Sequence, residues 1–269
     1  MSTAAATVPR PRSFGLARAE LLKLRKRRGM SVVVTLLTVV PMVIAYGILG
    51  ILHAANPDHH GPAGGVPNLG AGMLTLVLLG SVAAIVVGAS AGADDLTSGV
   101  FRELVVTGRS RLALFGSRIP GGLAYLLAFA AVAFAISAVV SGLGNGDLPA
   151  PSVKLLIESG VWVLADLAFY FVLGLGLASV TGSRAYTIGI LLAFRTVVGH
   201  ILTAISSLGV YREAVPDVAF VRLAPGAVEE YVNDGPHVGA SLTAAIVVLL
   251  LWLGIAVVIG AWRTATRDA

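Results

Sequence analysis

Long apolar runs constrain this chain more than any other feature. Four of them hold no Asp, Glu, Lys or Arg at all: residues 31–52, 71–93, 119–143 and 238–262. Two more, residues 155–178 and 185–208, carry only a few polar interruptions, Glu158 and Asp166 in the first and Arg195 and His200 in the second. Each reaches the roughly 20 residues that a helix needs to cross the hydrocarbon layer. The runs are too long for barrel strands and lack their alternation. Helices remain, because a continuous helix satisfies its own backbone in lipid. The charge content agrees: 12% of the 269 residues are charged and 57% are hydrophobic. That is about half the charged share of a soluble domain, and far too apolar for a disordered chain. The expected fold is all-α, a polytopic membrane protein with six transmembrane helices.

The basic residues set an orientation. Arg10, Arg12, Arg18, Lys23, Arg25, Lys26, Arg27 and Arg28 precede the first run, and Arg102, Arg109, Arg111 and Arg118 fill the second loop. Arg184, Arg263 and Arg267 fall on the same side, against Lys154, Arg212 and Arg222 on the other. The positive-inside rule therefore puts both termini in the cytoplasm. The organisation expected is a tail with an amphipathic helix over 1–30, a six-span domain over 31–262 and a short tail over 263–269. The net charge of +5 reflects this asymmetry and gives no reason to expect nucleic acid as a partner. The first run is longer than a signal-peptide core and no small-residue cleavage site follows it. No segment between the runs is long enough for a soluble domain.

Several chemistries are set aside. The chain has no cysteine, which excludes disulfides, thiolate catalysis and cysteine-held metals. His53, Asp58, His59 and His60 sit in a loop with Pro57 and Gly61 and read as solvated, so no metal site is expected. Asp94-Asp95 lacks the further aspartates that a Mg²⁺-dependent membrane transferase needs. Neither H-E-x-x-H nor G-x-S-x-G occurs, and no catalytic residues are assigned. The lysines Lys23, Lys26 and Lys154 complete no phosphate-binding loop, so no cofactor is expected on this chain.

Two segments beside the runs are patterned. Residues 13–28, SFGLARAELLKLRKRR, place Phe14, Ala17, Leu21 and Leu24 at helical spacing behind Ser13 as a cap, with Arg18, Glu20, Lys23 and Arg25 among the polar positions. Such a helix lies in the headgroup layer, its basic side on anionic membrane lipids. Residues 94–118, DDLTSGVFRELVVTGRSRLALFGSR, place Val100, Leu104 and Val105 at helical spacing, with Gly99 and Gly108 as punctuation. This predicts a short cytoplasmic helix, a bend near Thr107-Gly108 and a helical entry into the third run. A compact amphipathic segment of this kind suits a groove on another protein.

With Asp94, Asp95, Gly99, Arg102, Leu104 and Ser110-Arg111 in this order, the segment resembles the coupling region of type-2 ABC exporter permeases. The basic helix around Ala19-Glu20-Leu21-Leu22-Lys23-Leu24 resembles that family's elbow, and six spans with both ends inside match it too. Where family members often carry Glu, Pro and Lys, this chain has Asp95, Gly108 and Arg118. The resemblance implies a permease subunit that pairs with a second copy or a homologous subunit. It also implies a separate ATP-binding cassette ATPase that binds ATP and Mg and docks on Asp94, Asp95, Gly99, Arg102, Glu103, Leu104, Arg109 and Arg111. Export of a drug-like, lipid-like or other amphiphilic substrate across the plasma membrane would follow.

The intramembrane charges suggest an alternative. A charged group at the bilayer centre costs about 2.5–3.5 kcal/mol on insertion scales. The fourth and fifth runs are joined by a short turn, and Asp166 and Arg195 lie at matching depths of ~18 and ~15 Å at 1.5 Å per residue. An Asp166–Arg195 pair is predicted. It either locks two spans together or lines a pathway, and in the latter case the chain could act as an ion-coupled secondary carrier without an ATPase. Gly80, Ala84, Gly88 and Gly92 share a face that lets another helix approach closely. Finally, residues 209–236 are acidic, with Glu213, Asp217, Glu229, Glu230 and Asp234. Pro216 and Pro225 predict two short helices at the outer surface, and the resemblance implies short re-entrant or surface helices there, capping the exit before the final span.

Overall fold

The computed structural model describes residues 13–232 and 239–267. The helices in chain order are α1 (Ser13–Lys26), α2 (Arg28–Ala55), α3 (Gly65–Thr97), α4 (Val100–Val106), α5 (Arg111–Leu143) and α6 (Val153–Thr181). They continue with α7 (Arg184–Ala193), α8 (Gly199–Ala204), α9 (Pro216–Arg222), α10 (Gly226–Val232) and α11 (Leu242–Thr266). A π-helical turn, Phe194–Val198, joins α7 to α8 in one rod, and a 3₁₀ stretch covers Ser206–Ala214. No strand occurs among the described residues. Six helical segments are long and apolar enough to cross a membrane: α2, α3, α5, α6, the rod Arg184–Ala204 and α11. The chain is all-helical, with the make-up of a multi-pass membrane protein.

Helix ends follow capping chemistry more closely than hydropathy. Ser110, Ser152, Ser183 and Ser241 each sit in extended backbone and accept a hydrogen bond from an amide three residues on, which starts α5, α6, α7 and α11. α5 therefore begins at Arg111, well before the apolar run at 119. The fifth segment stops at Ala204 rather than 208, because Ile205 turns extended. The sixth starts at Leu242; Val238, where its apolar run begins, lies outside the described residues, as do Arg10, Arg12, Asp234 and Pro236. The same holds for the side chains of Ser13, Phe14, Glu229 and Glu230.

α3 and α6 form the centre and make the most extensive helix pair. In their most apolar windows 61% and 72% of residues are buried, against 6% in α11, which stands at the periphery. The small-residue face of α3 explains the closeness. A Cβ on Gly88 would run into the carbonyl oxygen of Phe171, and one on Gly92 would lie 2.6 Å from that of Leu175. The stripe is thus filled from within the chain. In return, Gly174 of α6 fits against the α3 backbone, with Ile85 O 2.9 Å from its ideal Cβ. Leu76, Ile85, Leu126, Leu167, Phe171 and Leu175 fill the core around this seam.

The segment before α11 holds two short helices. Pro216 does open α9, and Pro225 directly precedes α10. α9, however, does not sit at the end of the bundle. Its Asp217 accepts a hydrogen bond from Tyr170 Oη at 2.8 Å, and its Phe220 carbonyl accepts one from Trp162 Nε1 at 2.9 Å, both midway along α6. Just before it, the Ala214 carbonyl accepts from Trp252 Nε1 of α11 at 2.9 Å. α9 packs against α11 and beside the middle of α6. Two indole donors help to hold it there by donating to backbone carbonyls at and just before the helix. The two short helices expected at Pro216 and Pro225 are both present.

Candidate functional site

Two polar clusters lie along the α3–α6 axis. The first ties α1 to the end of α3. Lys23 Nζ is 3.1 Å from both carboxylate oxygens of Asp95, and Arg118 Nη2 of α5 is 3.0 Å from Asp95 Oδ2. Arg27 pairs with Asp94, and Lys23 also reaches Glu20 Oε2 at 2.7 Å. Arg118 is buried, as are Asp95 and Glu20, and its second amine points at the Gly92 carbonyl, 3.5 Å away. α1 comes close enough because Gly121 of α5 leaves room for the Ala17 carbonyl, 2.7 Å from its ideal Cβ. Breaking such a buried ion cluster by removing one partner costs more than replacing it whole.

α4 hangs from this cluster. It is held between Gly99, φ 75°, and Gly108, φ 81°, left-handed conformations that only glycine takes at low cost. Its one buried residue is Phe101, whose ring lies 5.9 Å from the Arg118 guanidinium. Arg102, Glu103 and Val106 are exposed, while Leu104 and Arg109 are half-buried. The expected partner-contact set therefore divides. Arg102 and Glu103 face outward. Asp95 is buried and paired within the chain. Arg111 donates to the Ala265 carbonyl at 3.2 Å and to that of Arg267, closing the end of α11. On α1, Arg18 and Arg25 are exposed, while Glu20 and Lys23 belong to the cluster. A recess of about 540 Å³ opens beside α4, walled by Phe101, Arg102, Thr181 and Arg267.

The second cluster lies midway along α6. Arg195, in the π turn, places Nη1 3.4 Å from Asp166 Oδ1 and 3.4 Å from Asp217 Oδ1. Its Nη2 points at the Val77 carbonyl of α3, 3.4 Å away, and its guanidinium stacks over the Tyr170 ring at 4.0 Å. The wider π turn re-aims a side chain that an unbroken helix would direct elsewhere, a usual reason for such bulges at working sites. Asp166 is 1% exposed and its Oδ2 has no hydrogen-bond partner. Burying an ionised oxygen unpaired is costly. The cluster borders a cavity of about 490 Å³ walled by Asp166, Arg195, Asp217 and His200 together with Val77 and Phe220.

Sequence reasoning brings Asp166 and Arg195 to one depth and misses Tyr170 and Asp217. Asp217 reads as one of several loop acids, and no local signal says that its helix packs beside the middle of α6. Glu158 stays near the end of α6, 3.7 Å from Lys154 in an exposed pair. No group of three or more His, Cys, Asp or Glu placed to hold a metal ion is found among the described residues. No protein-family model matches the chain, and no curated protein matches it.

Proposed function

We propose that the chain is the permease subunit of an ABC exporter in the plasma membrane, with both termini and α4 on the cytoplasmic side. A separate ATPase subunit, holding ATP and Mg, would dock against α4, and a second permease subunit would complete the pathway. The observation that carries this reading is α4 itself. It is a short helix set between two left-handed glycines, anchored by one phenylalanine, with Arg102 and Glu103 free to meet a partner. Phe101 touches Arg118, and Arg118 reaches Asp95 and Gly92, so a push on α4 bears on α5 and on the central helix α3. α1 is clamped to the same acids, as an interfacial helix that moves with the spans must be. The charge asymmetry of the loops supports the orientation.

A second reading, an ion-coupled secondary carrier, is favoured by one feature, the buried Asp166 and half-buried Asp217 that share Arg195 beside a membrane-spanning helix. A pull-down from native membranes in mild detergent separates the two. An ATP-hydrolysing subunit should co-purify with the tagged chain and be released by Arg102→Glu. Recovery of no such subunit across several detergents would overturn the permease reading and bring the carrier forward.

A further inference from the structure

The cavity beside Arg195 is bordered by two carboxylates and one guanidinium. Among the described residues its ionisable wall groups are Asp166, Asp217, Arg195 and His200. Arg195 is fully engaged, by both carboxylates, the Val77 carbonyl and the Tyr170 ring. Two carboxylates share this one guanidinium at the edge of the space, and Asp217 is the more accessible of the two. Asp166 Oδ2 is buried without a partner, and the Asp217 side chain is 30% exposed. The rest of the wall is apolar, with Leu74, Val77, Leu78 and Phe220. A volume of about 490 Å³ falls within the ~300–1,000 Å³ of small-molecule sites.

The geometry points to a binding site for an amphiphilic organic cation, whose protonated amine sits against the part-exposed Asp217 carboxylate while its hydrocarbon part lies along Leu74, Leu78 and Phe220. An ammonium supplies several N–H donors and a positive charge, which a carboxylate accepts in short, charge-assisted hydrogen bonds. A bare metal ion fits poorly, because hard cations gather about six oxygen ligands and this wall is largely apolar. An anionic amphiphile would put like charges together inside a low-dielectric layer. The π turn and α9 thus have a common result: one delivers Arg195, the other Asp217, to the same edge of the space.

This inference rests on the cavity alone, so its test needs no ATPase and fails independently of the permease reading. The full chain in lipid nanodiscs is titrated with octylamine, octanol, octanoate and sodium ions at neutral pH, against empty discs. Saturable octylamine binding at least about tenfold tighter than octanol is expected, the size of one charge-assisted hydrogen bond. Asp217→Asn should remove most of that preference, and Leu74→Trp should weaken amine and alcohol alike by occupying the space. Equal binding of amine and alcohol, tighter binding of octanoate, or competition by sodium at millimolar concentration would overturn the proposal. If Asp217→Asn fails to fold, the comparison of amine with alcohol on the unaltered chain still decides.

Discussion

Arg195 is shared by two carboxylates, and this makes its neighbours unequal. Arg195→Gln strands both Asp166 and Asp217 in a place where an uncompensated charge costs about 3–5 kcal/mol. Asp166→Asn leaves the guanidinium paired with Asp217 and removes the orphan oxygen's charge. Thermal unfolding in detergent, followed by size-exclusion, should therefore show a large loss for Arg195→Gln and a small one for Asp166→Asn. Equal losses would mean that Asp217 does not share the load. The Asp166–Arg195 meeting is legible in the sequence because a short turn between two runs fixes antiparallel register, so depth can be counted from one end. Asp217 is not, since its position depends on tertiary donors, Tyr170 and Trp162, that lie far away in the chain.

At the scale of helices, glycines sort by what stands opposite them. Gly88 faces the Phe171 backbone, whereas a Cβ on Gly47 of α2 would meet nothing within 4 Å. Gly88→Ala should destabilise the protein by about 1–3 kcal/mol through overpacking of the α3–α6 seam. Gly47→Ala should be neutral or stabilising by up to about 1 kcal/mol through helix propensity. Melting temperatures of the two variants in one detergent check the contrast. Both glycines lie in apolar runs, and only the four-residue spacing of Gly80, Ala84, Gly88 and Gly92 distinguishes the packed face beforehand. Helix boundaries are less legible from hydropathy, because the serine caps that set them lie in the polar stretches outside the runs, as at Ser110.

For the whole molecule, the arrangement has a sidedness that can be measured directly. The chain contains no cysteine, so single thiols can be introduced without background. Cysteines at Val106 on α4 and at Leu143 at the far end of α5 are both strongly exposed. With an impermeant maleimide applied to intact cells, Leu143→Cys should label and Val106→Cys should label only after permeabilisation. The reverse pattern would invert the orientation that the Lys and Arg distribution predicts. The count and order of long helices are legible because each apolar run is bounded by polar sequence. The seat of α9 is not, because a short helix of mixed polarity looks the same whether it floats at a surface or is drawn inward.

The seat of α9 also says something about how the molecule is made. The stretch from Ala214 to Arg222 takes two anchors from α6, Tyr170 and Trp162, which are synthesised before it, and a third from Trp252 of α11, which is synthesised after it. While α11 is still within the ribosome, this stretch has its α6 partners and lacks the third. Its full set of anchors exists only once α11 is made, so α11, though the least buried of the long helices, closes over a segment that α6 already holds.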